Sequence, residues 1–103
     1  MMQYGLSTED LNGLKRVFAR HQGIEKVIMY GSRAKGNYKP FSDIDLTMVG
    51  DQITHRDLVE VIDEIDDLLL PYGVDISIFS NLKNEELIDH INRRGVVIYL
   101  LGE

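Results

Sequence analysis

The amino-acid sequence predicts an α/β fold over residues 1–103, with one four-stranded mixed sheet and helices packed against it. Three observations carry this prediction. Two short segments alternate apolar and polar residues, as strands with one buried face do. Two longer segments repeat apolar residues every three or four positions, as amphipathic helices do. The segments follow one another in the order α-β-(α)-β-α-β-α-β, and the length is that of one typical domain.

The first half of the chain contains two predicted strands. Ser7 is expected to cap a first helix whose apolar residues recur at helical spacing until Gly23 ends it. Residues 24–30 then form a mostly apolar strand of the kind found in a sheet interior. A short helix is expected to start at Arg33, directly after Gly31-Ser32, and a loop follows over 37–41. In the second strand, Ile44, Leu46 and Met48 are expected to face one way, and the residues between them, with Val49, to face the other. The remaining predicted elements are a second strand over 43–49, a capped amphipathic helix from Thr54 to Leu69, a strand over 74–79, a shorter helix over 84–92 and a last strand over 96–100.

Composition limits the classes of function. The formal net charge is −6, so tight binding to bulk nucleic acid is not expected. The chain contains no cysteine, which excludes a disulfide scaffold and any site built on thiolates. No apolar run reaches the length of a signal-peptide core or a membrane span, so we expect a soluble cytoplasmic protein without membrane contact. The charges are unevenly distributed, with seven acids and one base over 51–70 but three bases and no acid over 31–40.

Two aspartates one residue apart are the most informative feature of the predicted strands. Asp43 and Asp45 project from the same face of their strand. Close carboxylates repel each other, and one is driven towards protonation unless a cation lies between them. Hard oxygen ligands at this spacing suit Mg²⁺ or Mn²⁺. Asp75 begins the next strand on the corresponding face, so three carboxylates meet if the two strands are neighbours. Taken alone, the pair could equally be a solvated strand end or a helix cap.

The segment before these aspartates has the features of a phosphate-binding turn. Gly31 allows close approach of a phosphate to the backbone, and a helix start presents free N–H groups to an anion. Ser32 adds a hydroxyl donor, unless it serves only as a turn or cap residue. Arg33 or Lys35 could neutralise phosphate charge, and we predict Arg33 as a nucleotide contact. Together, a phosphate turn and clustered carboxylates fit two-metal phosphoryl transfer, in which a carboxylate can also take the proton of the acceptor.

The combined motif resembles that of the nucleotidyltransferase superfamily typified by DNA polymerase β. It comprises Gly31-Ser32, ten intervening residues, Asp43-x-Asp45 and a later Asp75 on a strand. Within the superfamily the chain is most similar to the minimal nucleotidyltransferases, the MNT-domain antitoxins that are paired with HEPN-domain toxins. The resemblance extends over essentially the whole chain, and the combination of both halves is more specific than either half.

This resemblance implies the polymerase β-like nucleotidyltransferase fold and a specific chemistry. Mg²⁺, as two ions, or alternatively Mn²⁺, would be held by Asp43, Asp45 and Asp75. ATP would be the substrate, contacted by Gly31 and Ser32, and pyrophosphate would leave. In such antitoxins AMP is placed on a tyrosine of the cognate HEPN ribonuclease, so a HEPN toxin is the expected partner, with a possible hetero-oligomer between the two proteins.

Two other functions remain open from the sequence. A non-enzymatic antitoxin could act by occlusion, with its acidic helix masking a basic RNA-binding surface of a toxin. A stand-alone transferase could modify a small molecule such as an aminoglycoside, although the chain has little room for a domain that grips such an acceptor. All three readings share the same fold; the two transferases differ in their acceptor, and occlusion involves no transfer.

Overall fold

The computed structural model describes residues 2–103, and the order of helices and strands within them follows the prediction closely. Ser7 caps the first helix, its Oγ accepting from the N–H of Asp10 at 3.0 Å. Thr54 and Asp57 form the expected reciprocal capping box of the third helix. The elements are β1 (Met2–Gln3), β2 (Leu6–Ser7), α1 (Thr8–Ala19), β3 (Lys26–Tyr30), α2 (Ser32–Lys35), β4 (Ile44–Val49), α3 (His55–Asp66), β5 (Val74–Ile78), a 3₁₀ turn (Phe79–Asn81), α4 (Glu85–Arg94) and β6 (Val96–Leu100).

Four of these strands form a mixed sheet in the order β5-β4-β3-β6, which confirms the predicted fold class. The two central strands, β3 and β4, pair antiparallel. β3 also pairs antiparallel with β6, whereas β4 and β5 run parallel because α3 returns the chain to the starting end of the sheet. The two predicted aspartate-bearing segments are therefore adjacent strands.

Helices cover both faces of the sheet. α1 and α3 pack on one face, where the fully buried Phe18 and Val61 meet Leu46 and Met48 of β4. α4 packs on the opposite face, where Ile91 meets residues of β3. The alternation predicted for the second strand thus has a physical cause, since Leu46 and Met48 face α1 and α3, whereas Asp45 and Val49 lie on the side of α4. No helix among residues 2–103 is long and apolar enough to cross a membrane.

The structure differs from the prediction by an added N-terminal hairpin and at the ends of several elements; α3, for example, ends at Asp66 and not at Leu69. A short antiparallel hairpin, β1 and β2, precedes α1, with Tyr4 and Gly5 at positive φ in its turn. Phe79 lies in the 3₁₀ turn that follows β5 and not in the strand. α4 continues to Arg94, two residues beyond the predicted end, before Gly95 closes it. Strands of two residues are too short to show a periodicity, so sequence reasoning had no signal for the hairpin.

Candidate functional site

The strand register brings the predicted carboxylates together. Asp45 in β4 is the direct partner of Asp75 in β5, and on its other side it is the partner of Tyr30 in β3. Neighbouring strands lie about 4.8 Å apart, so these three side chains form a row on one face of the sheet. Asp43 precedes β4, at the point where the N–H of Ile44 donates to the Gly73 carbonyl at 2.8 Å. The sequence prediction required Asp75 to lie on the strand next to that of Asp45, and it does.

The electrostatics of this row favour a bound cation. The pKa of the Asp45 carboxyl is raised, first by burial and then by the negative charges of Asp75 and Asp43. The pKa of the Tyr30 hydroxyl is also raised, by burial first and then by the charges of Asp75 and Asp45. A divalent ion among the carboxylates would remove this repulsion, and three carboxylate groups are the hard oxygen donors that Mg²⁺ accepts. The residues therefore fit the metal that the resemblance implies.

Two glycines make room for these carboxylates because they have no Cβ. Gly31 has φ +79° and ψ −156°, a conformation open almost only to glycine. A Cβ on Gly31 would also overlap the Asp45 carboxylate. A Cβ on Gly73 would lie 2.7 Å from Oδ1 of Asp43. The turn predicted to bind phosphate and the carboxylates predicted to bind metal are thus in direct contact, with Ser32 opening α2 immediately after Gly31.

Arg33, by contrast, does not reach this space with its side chain. Its guanidinium is buried and donates to the backbone carbonyls of Ser42, Tyr4 and Pro40. It is not among the groups that shift the pKa of Asp45. The side chain that the sequence assigned to the nucleotide therefore lies inside the protein, behind the loop that separates Gly31 from the aspartates.

Sequence reasoning missed two residues beside the carboxylates, Tyr30 and Ser77. Tyr30 shares the face of Asp45, and Ser77 follows Asp75 by two positions on that same face. The Ser77 hydroxyl donates to Thr47 Oγ1 at 2.9 Å, and its hydrogen bond with Tyr30 lowers the pKa of that phenol against the larger raising effects. His90 of α4 places its ring edge against Tyr30, with centroids 6.5 Å apart. The period-two rule that paired Asp43 with Asp45 would also have identified Tyr30 and Ser77.

A second group of titratable side chains lies elsewhere. Among residues 2–103, His21, Asp57 and Glu60 place possible ligand atoms within 4.8 Å of one another. The His21 ring is already engaged, with Nε2 at 3.0 Å from Glu64 and Nδ1 at 3.4 Å from Asp57. These contacts join the segment that follows α1 to α3, which gives His21 a structural role.

Two surface grooves of the protein lie away from the three aspartates. A groove of about 930 Å³ lies between α1 and β6, lined among others by Lys15, Arg16 and Val97. A smaller groove of about 240 Å³ lies between α3 and β5 and includes Gly73 but none of the three aspartates. The candidate site is therefore defined by its chemistry and strand register, and neither of these two grooves includes its aspartates.

Comparison with known proteins agrees with this geometry. The family described as "Polymerase beta, Nucleotidyltransferase" matches residues 12–101. A relative from Methanocaldococcus jannaschii, named "Putative protein adenylyltransferase", is 42% identical over 82 residues, which cover 79% of this chain and 73% of the relative.

Solved structures share the fold at low sequence identity. A toxin-antitoxin structure with AMP-PNP superimposes with a TM-score of 0.70 at 16% identity, over 89% of this chain and 74% of that one. A structure of the toxin-antitoxin MntA-HepT gives a TM-score of 0.65 at 13% identity, over 89% and 71%. The family match covers most of the chain, including every carboxylate of the site and the turn at Gly31. The chain is therefore a nucleotidyltransferase and belongs to the polymerase β family.

Proposed function

We propose that this chain is an antitoxin that transfers AMP from Mg²⁺-bound ATP to a tyrosine of a separate protein, a HEPN-domain ribonuclease toxin. The observation that carries the proposal is the register of Asp45 with Asp75 beside Gly31, which joins a metal-binding end and a phosphate-binding end in one site. The relative named for protein adenylylation and the fold shared with toxin-antitoxin structures support the protein acceptor.

The three aspartates have different tasks in this proposal. Asp43, Asp45 and Asp75 would hold the metal, which neutralises the triphosphate and makes the α-phosphorus more electrophilic. Asp45 lies half-buried at the centre of the row, between Asp75 and Tyr30, and Asp43 lies two residues before it along the chain. Asp75 lies exposed on the edge strand β5, on the side from which an acceptor can come. Asp75 is therefore the carboxylate best placed to take the acceptor's proton.

The transfer then follows as a balanced displacement. The phenol oxygen of the acceptor tyrosine forms a bond with the α-phosphorus, and the bond from that phosphorus to the bridging α–β oxygen breaks. Pyrophosphate leaves, and the phenolic proton passes to the carboxylate of Asp75. Gly31 allows the backbone to approach the phosphates, and Ser32 offers its hydroxyl and the first N–H of α2. Asp75 is exposed on the edge strand β5, which is consistent with an acceptor on another molecule.

The position of the label tests this proposal directly. The protein is incubated with Mg²⁺, its gene-neighbour protein and ATP labelled at either the α- or the γ-phosphate. We expect the α-label to reach a tyrosine of the partner and the γ-label to leave as pyrophosphate. The double variant Asp43→Ala plus Asp45→Ala, checked for its fold by circular dichroism, should transfer no α-label to the partner and release no labelled pyrophosphate. Equal transfer by this variant and the wild type would refute the proposal.

The acidic face of α3 supports a second candidate, neutralisation of a toxin by occlusion. Asp63, Asp66 and Asp67 are exposed along this helix and its C-terminal end. Such a surface is complementary to a basic RNA-binding surface. If occlusion is sufficient, Asp43→Ala plus Asp45→Ala should still inhibit the toxin's ribonuclease activity at a stoichiometric ratio. Loss of inhibition in the folded variant would exclude occlusion and favour transfer.

A further inference from the structure

Arg33 is an unusual side chain for the interior of a small protein. It is only 1% exposed, and no carboxylate of residues 2–103 forms an ion pair with it. Burial of a charge without a counter-ion is costly unless hydrogen bonds replace the water. Those bonds come from backbone carbonyls, and the cation also lies over two aromatic rings, 4.5 Å from the Tyr72 centroid and 5.2 Å from that of Tyr38.

The carbonyl bonded most strongly belongs to the residue before Asp43. Nε and one terminal nitrogen of Arg33 both donate to the Ser42 carbonyl, at 3.1 and 2.8 Å. The Ser42 carbonyl is part of the peptide bond that leads into Asp43, so the guanidinium sets the position of that peptide. Arg33 itself follows Ser32 in α2. One side chain thus connects the phosphate turn to the first carboxylate.

The ring contact extends this connection to β5. Tyr72 precedes Gly73, whose carbonyl accepts from the N–H of Ile44 and whose Cα lies against the Asp43 carboxylate. On the other side, the Tyr4 carbonyl accepts from Arg33 at 2.9 Å. A Cβ on Gly5 would lie 2.6 Å from a guanidinium nitrogen. The unpredicted β1–β2 hairpin therefore closes over Arg33 and keeps water from it.

We infer that Arg33 is a positioning residue, which holds the backbone at Asp43 so that the metal-binding carboxylates converge, and that its side chain does not contact the nucleotide. The inference rests on the proposed function for the identity of the site. Partners that orient metal ligands typically contribute about 10- to 100-fold to metal affinity or activity. Lysine cannot replace arginine here, because a single ammonium group cannot donate from two nitrogens to one carbonyl while lying flat on two rings.

Binding of Mn²⁺ alone separates this inference from a phosphate contact. Mn²⁺ is titrated without nucleotide and followed by electron paramagnetic resonance, using the wild type, Arg33→Lys and the control Lys39→Met. Lys39 is exposed in the loop between α2 and β4, and it forms no ion pair among residues 2–103. We expect Arg33→Lys to bind Mn²⁺ about 10- to 100-fold more weakly, and Lys39→Met to bind it within about twofold of the wild type. A residue that acts only on phosphate cannot alter binding of the bare ion.

The outcomes distinguish the two proposals. Wild-type affinity for Mn²⁺ in Arg33→Lys, together with a raised KM for ATP, would overturn the inference and restore Arg33 as a phosphate contact. Wild-type protein that binds Mn²⁺ but transfers no AMP would refute the proposed function and leave the inference standing if Arg33→Lys binds the ion weakly. If Arg33→Lys does not fold, Tyr72→Leu decides, because it removes one stacked ring and leaves the charge. Weaker Mn²⁺ binding in folded Tyr72→Leu supports the inference, and unchanged binding overturns it.

Discussion

Replacement of Gly31 by alanine should abolish activity through a contact with Asp45, one of the carboxylates proposed to be catalytic. The backbone at Gly31, with φ +79° and ψ −156°, costs a non-glycine residue about 1–3 kcal/mol. The added Cβ would also overlap the Asp45 carboxylate, so either the carboxylate or the turn must move. A displacement of about 1 Å at a reacting centre can reduce a rate about 100-fold. We therefore expect Gly31→Ala to lose about 1–3 kcal/mol of unfolding free energy and at least about 100-fold in kcat/KM.

Gly36 provides a matched control for this experiment. It also has a positive φ, +89°, but a Cβ there would meet no atom within 4 Å. Gly36→Ala should therefore lose about 1–2 kcal/mol of stability from backbone strain while keeping kcat/KM within a few-fold of the wild type. Urea denaturation measures stability, and Mg²⁺-dependent pyrophosphate release measures activity. Equal loss of activity in both variants would show that strain, and not the contact with Asp45, is responsible.

Three further substitutions test the electrostatics and the packing that support the site. Asp45→Asn should raise the stability of the metal-free protein at pH 7 while abolishing transfer. The raised pKa of Asp45 means that its charged form destabilises the fold. The gain in stability should therefore vanish below the ordinary pKa of 3.8. Urea denaturation at two pH values, in the presence of a chelator, measures this gain. Asp57→Asn should have the opposite sign, because the backbone N–H of Thr54 chiefly lowers the pKa of Asp57. Its stabilising effect is present above pH 3.8 and lost as the pH falls through the folded-state pKa, so the two denaturation curves should converge in acid. Leu46→Ala removes a fully buried side chain and should cost about 2–5 kcal/mol of unfolding free energy without changing the turnover of the folded fraction.

The arrangement of the carboxylates could be predicted because it depends on local rules. Side chains two apart share a strand face, and turn residues mark where Asp75 begins the next strand. That β4 and β5 are neighbours was a condition of that prediction and not a result of it. It depends on α3 packing across the sheet, and only the structure supplies this.

The position of Arg33 could not be predicted, for a physical reason. In sequence it lies among loop residues and cations, which are usually solvated. Its burial requires Tyr4 and Gly5 from a hairpin at one end of the chain, and Tyr72 from the segment before β5. Contacts between segments so distant in sequence leave no periodic pattern. The sequence therefore gives no indication that this side chain, which its position suggests as a phosphate ligand, is buried.

The substitution Asp75→Asn tests the central claim most directly, namely that the aspartates of two adjacent strands form one metal-dependent transfer site. Asparagine keeps the size of the side chain on the exposed edge strand, so the fold should persist. Transfer of α-labelled AMP to the partner protein in Mg²⁺ is compared with that of the wild type. Loss of a proton-accepting carboxylate predicts a rate about 10²- to 10⁴-fold lower, with an unchanged circular dichroism spectrum. A folded Asp75→Asn variant that transfers AMP within twofold of the wild-type rate would contradict the claim.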